Sequence, residues 1–198
     1  MKLGTHNSAT GGKLIWWQRP IAWLLNITAK CQQRTIEEQL EDGVKLFNLQ
    51  VTLYNGEWHF SHGTTIYKEK LLETLALIEM YAKPHEPIFF NLYLDDNFFL
   101  GQNCEEFRAL IKDVQAMYNG REGLTFLYGW IEGSEEYFRS GVNISCEEHY
   151  WSLGWAKKNA KSWIDYLPLP KRHAIKHNDV YIANCKEEYL MLDYYDLK

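Results

Sequence analysis

The chain has 198 residues, carries 21 Lys and Arg against 26 Asp and Glu, and so holds a net charge of −5. That length suits a single domain spanning 1–198, and a hydrophobic fraction of 46% excludes a disordered chain. The acidic balance argues against a protein that grips nucleic acid through its phosphates. No run of 18 apolar residues exists; the nearest, LIWWQRPIAWLLNI (14–27), is broken by Gln18, Arg19 and Pro20. No leader pattern is visible, so the expectation is a soluble protein, cytoplasmic or released, able to touch a membrane surface.

In chain order, strand-like runs alternate with helical patterns. A very short strand around Lys2–His6 comes first, then a helix over 35–43 that stops at Gly43. The stretch 44–54 alternates: Phe47, Leu49, Val51 and Leu53 share one face, while Leu46, Asn48, Gln50 and Thr52 share the other. A strand at 57–62 follows, then a helix over 67–83 with Leu71, Leu72, Leu75 and Ile78 as its stripe. The strand at 87–94 again alternates, with Phe89, Asn91, Tyr93 and then Asp95 on one face. A helix over 103–119 is capped by Asn103, stopped by Gly120, and striped by Phe107, Leu110, Ile111 and Val114. A strand at 124–130 and a helix at 154–167 come next, and strands at 180–184 and 189–195 close the pattern.

Such alternation predicts a mostly parallel sheet covered by helices. One strand face is apolar throughout; the other turns polar toward the C-terminal end. That is the pattern of a small β/α barrel with its site at the C-terminal rim. The fold expected is therefore α/β: a compact, distorted or incomplete TIM-type barrel, with an open doubly wound sheet as the alternative. The four cysteines, Cys31, Cys104, Cys146 and Cys185, form no CxxC pair and show no zinc spacing. Free thiols fit a domain of this size better than two disulfides do.

Two histidines stand at strand ends, His6 in GTHNS and His62 in HFSHG. A lone histidine is ordinarily a surface or satisfied core residue, but this joint placement suggests an acid-base pair. One neutral imidazole takes a proton from an attacking hydroxyl; the other, protonated, gives one to the leaving oxygen. The adjacent glycines are expected to let a substrate approach closely.

The segments LGTHNSATGG, QQRTIEEQLEDGVKLFNLQV and WHFSHG, in that order, resemble the X region of the phosphatidylinositol-specific phospholipase C family and its bacterial relatives. The resemblance is strong over residues 3–64. It continues weakly through PIFFNLYL and YLMLDYY, and residues 96–180 match nothing familiar. It implies a distorted β/α barrel and cleavage of phosphatidylinositol or a related phosphodiester through a cyclic phosphate. His6 would be the base and His62 the acid, with Asp193 orienting one histidine. Asn7 would touch phosphate or a substrate hydroxyl, and Asn48, Gln50 and Tyr93 would line the substrate site.

Departures from the family pattern bear on activity. Where bacterial members carry an Asp and an Arg on the second strand, this chain has Asn48 and Gln50; where calcium-dependent members carry acids, it has Asn48, Gln50 and Tyr93. Calcium prefers several hard oxygen ligands with carboxylates among them, so no metal or other cofactor is expected unless Asp95 or Asp96 supplies charge. The lost arginine leaves phosphate charge unopposed; Lys13, Arg19 and Arg139 are the candidates to replace it from a loop. The alternative to an enzyme is a weakened or inactive barrel that binds a lipid headgroup or a protein partner. Trp16, Trp17 and Trp23 are either an interfacial anchor or an inward-packed lid. Tyr128, Trp130 and Trp151 could stack a sugar, with core packing as the default, and the lysines of 154–163 read as a solvated helix face.

Overall fold

The computed structural model describes residues 1–150 and 152–197. Its elements are β1 (Lys2–Thr5), α1 (Ala22–Ala29), α2 (Ile36–Glu41), β2 (Leu46–Tyr54), β3 (Glu57–His62), β4 (Thr65–Lys70), α3 (Leu71–Tyr81) and β5 (Ile88–Leu94). They continue with α4 (Cys104–Tyr118), β6 (Leu124–Ile131), β7 (Tyr137–Arg139), β8 (Cys146–His149), α5 (Leu153–Asn159), α6 (Pro170–Asn184) and β9 (Tyr189–Leu192). Short 3₁₀ turns occupy Ser8–Gly11, Arg19–Ile21 and Trp163–Tyr166.

One nine-stranded sheet organises the chain in the order β7-β6-β5-β2-β1-β9-β8, with β3 and β4 folded off β2 as an antiparallel extension. The run from β6 through β5, β2, β1 and β9 to β8 is parallel throughout. Its two faces differ as the alternation predicts. Phe47, Leu49, Val51, Phe90, Leu92, Leu190 and Leu192 face outward into the main core, with Leu75, Ile78, Phe107 and Ile111 from the helices. Leu46, Leu127, Tyr189 and Met191 point inward to a second, smaller apolar cluster. That cluster joins residues of β2, β6 and β9, so the sheet curls around its own interior. Among the described residues β7 and β8 pair with nothing beyond β6 and β9, and the curl stays open between them. The fold is an incomplete TIM-type barrel rather than an open doubly wound sheet.

Helix α2 begins with a reciprocal capping box in which Thr35 and Glu38 satisfy each other's backbone N–H. Gly4 is required by packing: a Cβ there would lie 3.0 Å from the Leu46 Cβ on β2. Its lack of a side chain serves the strand contact, not the substrate access expected of it. Gly63 does sit in a left-handed turn, at φ +61, directly after His62.

Several elements depart from the sequence pattern. Residues 180–184 are the last turn of α6 rather than a strand. Proline opens that helix, and the β-branched Val180 and Ile182 mark only its exposed and half-buried flank. The helix expected over 67–83 starts at Leu71, because Tyr67–Lys70 pairs with β3. Leu72 is exposed and does not join the stripe of Leu71, Leu75 and Ile78. The helix expected over 154–167 is α5 followed by a separate 3₁₀ turn, both opened by serine caps. Asn103 occupies the α4 cap position without its side chain capping. Beyond Leu192 the alternation breaks: Tyr194 takes φ +43, and Tyr195 turns into the outer core. All four cysteines are unpaired.

Candidate active site

Strands β1, β2, β3 and β9 end at one rim. The loop after β1 begins with Asn7 in the left-handed region, a conformation asparagine tolerates better than most residues. Two buried amides fix the geometry. Gln32 Nε2 donates to the carbonyls of His6 and Leu192, both at 2.8 Å, and so clips the ends of β1 and β9 together. Asn178 on α6 donates to the carbonyls of Asp193 and Tyr194 at 3.0 and 3.1 Å.

His6 Nδ1 lies 2.8 Å from Asp193 Oδ1, which is buried. Asn7 Nδ2 stands 3.3 Å from His6 Nε2. Nδ1–H therefore donates to the carboxylate, and the Nε2 lone pair accepts from the Asn7 amide at the cleft wall. The ring stacks on Tyr150, centroids 3.7 Å apart. Opposite stands His62, its centroid 6.4 Å from that of His6 with the rings nearly perpendicular. His62 Nδ1–H donates to the Ala29 carbonyl at 2.7 Å, which leaves Nε2 for chemistry. Burial lowers the His62 pKa below its ordinary value; the Ala29 carbonyl opposes that and the nearby His6 adds to it.

The cleft between the two imidazoles has a volume of about 400 Å³ and is lined also by Asn48, Gln50, Tyr93, Trp130 and Glu132. All seven residues read from the sequence as catalytic or substrate-binding are gathered here, Asp193 behind His6 rather than on the wall. Several of their polar groups are already engaged. Asn48 accepts from the Asn7 N–H at 3.1 Å and donates to Asn91 at 3.1 Å. Gln50 Nε2 donates to Asp95 at 2.7 Å and to Glu132 at 3.0 Å. The Tyr93 and Tyr128 hydroxyls are 2.8 Å apart. Asp95, which also accepts from the Gly63 N–H, is buried, and desolvation, then Glu132, push its pKa upward.

None of the three candidate cations reaches the cleft. Arg19 donates its Nε–H to the Leu14 carbonyl, Arg139 lines a different cavity in the barrel opening, and Lys13 is exposed elsewhere. Among the described residues no lysine or arginine lines the site. Trp16 and Trp23 are 75% and 72% exposed, so they form no inward lid; Trp17 is half-buried against Phe99. Of the stacking candidates, Trp130 lines the cleft, Tyr128 bonds to Tyr93, and Trp151 lies outside the described residues. Lys157, Lys158 and Lys161 are solvated.

Cys31, Gln32, Glu132 and Tyr150 escaped the sequence reading. Gln32 lay inside the QQRTIEEQL segment and could have been singled out there. Tyr150 and Glu132 fall in the unmatched stretch, where nothing in the local pattern marks them.

No protein-family profile matches the chain, and no curated protein does. Solved structures do. The phosphatidylinositol-specific phospholipase C of Staphylococcus aureus, in a point-mutant form, superposes with a TM-score of 0.59 at 15% identity, covering 98% of this chain and 84% of that one. The Listeria monocytogenes phosphatidylinositol-specific phospholipase C gives 0.58 at 15%, covering 98% and 87%. A structure of the Staphylococcus aureus enzyme concerned with modulation of its membrane binding gives 0.57 at 14%, covering 98% and 85%. Built over nearly its whole length on the same curled sheet, this chain has the fold of the bacterial phosphatidylinositol-specific phospholipases C.

Proposed function

We propose that the protein is a phospholipase-C-like phosphodiesterase acting on phosphatidylinositol or a closely related phosphodiester. The observation that carries this reading is the His6–Asp193 pair, set across the cleft from His62, with His6 Nε2 deprotonated and touched only by the Asn7 amide that an incoming hydroxyl would displace. His6 Nε2 takes the proton of the inositol 2-hydroxyl as that oxygen bonds to phosphorus. The bond from phosphorus to the diacylglycerol oxygen breaks, and His62 Nε2–H protonates the departing oxygen. The product is a cyclic phosphodiester, which water can open by the reverse roles. Asp193 holds the base in the required tautomer and stabilises the imidazolium that forms.

Approach to a bilayer is served by an exposed apolar rim: Trp16, Ile21, Trp23, Leu24 and Ile27, with Phe98 beyond them. Membrane binding by a structural neighbour accords with that surface. Among the described residues no helix is long and apolar enough to cross a membrane.

A second reading, a barrel that binds a headgroup without cleaving it, is favoured by one observation. Gln50, where an arginine would neutralise phosphate, is committed to two carboxylates. Purified protein with phosphatidylinositol vesicles separates the two. Turnover should resist EDTA and fall by about 10²–10⁴ in each of His6→Ala and His62→Ala. The buried His62 must be protonated to act as acid, so the rate should decline as pH rises past a point below 6.5. Turnover that survives both variants sinks the acid-base assignment, and vesicle binding without turnover selects the second reading.

A further inference from the structure

Behind the two imidazoles lies a cysteine that the reaction does not use. Cys31 sits in the loop between α1 and α2, buried and turned into the cleft. Its backbone is pinned on both sides: its N–H donates to Thr10 Oγ1 at 2.9 Å, and its carbonyl accepts from the Tyr194 N–H at 2.7 Å. Its Sγ is 3.7 Å from His62 Nδ1 and 3.8 Å from Asn7 Nδ2. One ligand atom from each of His6, Cys31 and Asp193 lies within 4.8 Å of the others.

Imidazole, thiolate and carboxylate converging on one point are the donor set of a thiophilic divalent cation. Zinc bonds at about 2.3 Å to sulfur and about 2.0–2.2 Å to nitrogen and oxygen, so tetrahedral neighbours lie roughly 3.5 Å apart. Reaching that spacing takes adjustments of about 1 Å: the wider separations, up to 4.8 Å, must close, and the 2.8 Å His6–Asp193 contact must open as the metal replaces its hydrogen. The electrostatics favour a cation as well. Asp193 and Glu132 bring negative charge to the cleft, and no lysine or arginine lines it among the described residues.

A further observation points to the same occupant. Asn7 Oδ1 is buried and has no hydrogen-bond partner, while Asn7 Nδ2 faces His6 Nε2. When a metal takes Nδ1, the imidazole proton must move to Nε2. The amide can then turn over, so that Oδ1 accepts from Nε2–H and the orphaned oxygen is satisfied.

We propose that His6 Nδ1, Cys31 Sγ and Asp193 form a binding site for a zinc-class cation, with His62 within reach as a fourth ligand, and that occupancy switches the acid-base pair off. Binding displaces one proton, from the Cys31 thiol. Metal at Nδ1 also removes the cleft-facing lone pair, because Nε2 now carries the hydrogen. The ligand set is thus a brake built from the same side chains. Its inhibitory consequence rests on the proposed function; the binding itself does not.

The test is a titration of the reduced, chelator-treated protein with Co²⁺ as a spectroscopic stand-in for zinc. One equivalent should produce a thiolate-to-cobalt charge-transfer band and tetrahedral visible absorption. Zinc should abolish both, and affinity should rise about tenfold per pH unit while the free thiol stays protonated. Cys31→Ser should lose the band, and His6→Ala should weaken binding about 100-fold or more, beyond the 10–100-fold typical of outer-shell changes. Cys185→Ser and His173→Ala, which alter a distant thiol and a separate histidine cluster, should leave the band intact. No band in the wild type, or a band that survives Cys31→Ser, overturns the proposal; circular dichroism confirms that each variant is folded. With phosphatidylinositol vesicles, zinc should stop turnover in the wild type, EDTA should restore it, and Cys31→Ser should resist zinc. A wild type that binds Co²⁺ but never turns over refutes the enzyme reading and leaves the metal site standing.

Discussion

Two arcs of the barrel are built differently. The arc from β5 through β2 and β1 to β9 is continuous parallel sheet, backed by buried Phe47, Leu49, Phe90 and Leu192, and it carries both His6 and Asp193. The arc formed by β6 with β7 on one side and β8 on the other does not meet, and a cavity of about 390 Å³ opens between them, lined by Tyr137, Arg139, Val142 and Ile144. The closed arc holds His6 and Asp193 to within a hydrogen bond, while His62 enters from β3 folded off β2. The open arc supplies aromatic rings: Trp130 and Tyr150 line the cleft, and Tyr128 bonds to Tyr93. The proposed acid-base residues thus sit where the backbone is held on both sides.

Stability should divide along the same line. Phe47→Ala, at a fully buried position of the closed arc, should cost about 3–5 kcal/mol in denaturant unfolding. Val142→Ala, half-buried at the opening, should cost well under about 1 kcal/mol. Equal losses would abolish the distinction. Gln50→Arg tests whether the closed arc lacks only a cation. The guanidinium would meet Asp95 and Glu132 in place of the present amide, and kcat should rise by up to about 10²-fold, near the worth of one transition-state donor. An unchanged rate in a folded variant would show that phosphate charge is not what limits the site.

Near the open arc, α6 buries His173 with both ring nitrogens unpartnered, edge-on to Trp155. Burial, then His177, lower its pKa from 6.5 to about 4. Between those values the unfolded chain holds a proton that the folded chain does not, so this stability is complete above 6.5 and is lost as pH falls toward 4. Thermal midpoints should drop over that window, and His173→Phe should flatten the slope; His177, lowered in the same direction by burial, will leave a remainder. A slope unchanged in His173→Phe would assign the window to other groups. Smallest should be Tyr150→Ala, which removes the ring stacked on His6 and should slow turnover about two- to tenfold, the worth of one aromatic contact. A loss as large as that of His6→Ala would make the open arc an equal partner in the chemistry.

Legibility followed the same division. On β2 and β5 the two-residue period separates Phe47, Leu49 and Val51 from Asn48 and Gln50, because one face meets helices and the other the cleft. His6 and His62 were readable because they close strands and because their flanking segments resemble a known family. Arg19 and Arg139 misled because charge composition says nothing of where a guanidinium points; one is held by a carbonyl and the other lines the opening. Tyr150 and Cys31 were invisible for a different reason. Each sits in irregular chain with no period to betray its face, and each matters only through a partner distant in sequence. Val180 and Ile182 show the reverse error, a local β-branched signal overridden by a helix already begun at Pro170.

The amide of Gln32 spans the ends of β1 and β9, strands from opposite ends of the chain. His6 and Asp193, 187 positions apart, become neighbours only once that junction forms. A slip that frees β9 from β1 would part His6 from Asp193. The junction makes the His6–Asp193 contact conditional on the docking of β9 against β1, the most sequence-distant pairing in the sheet.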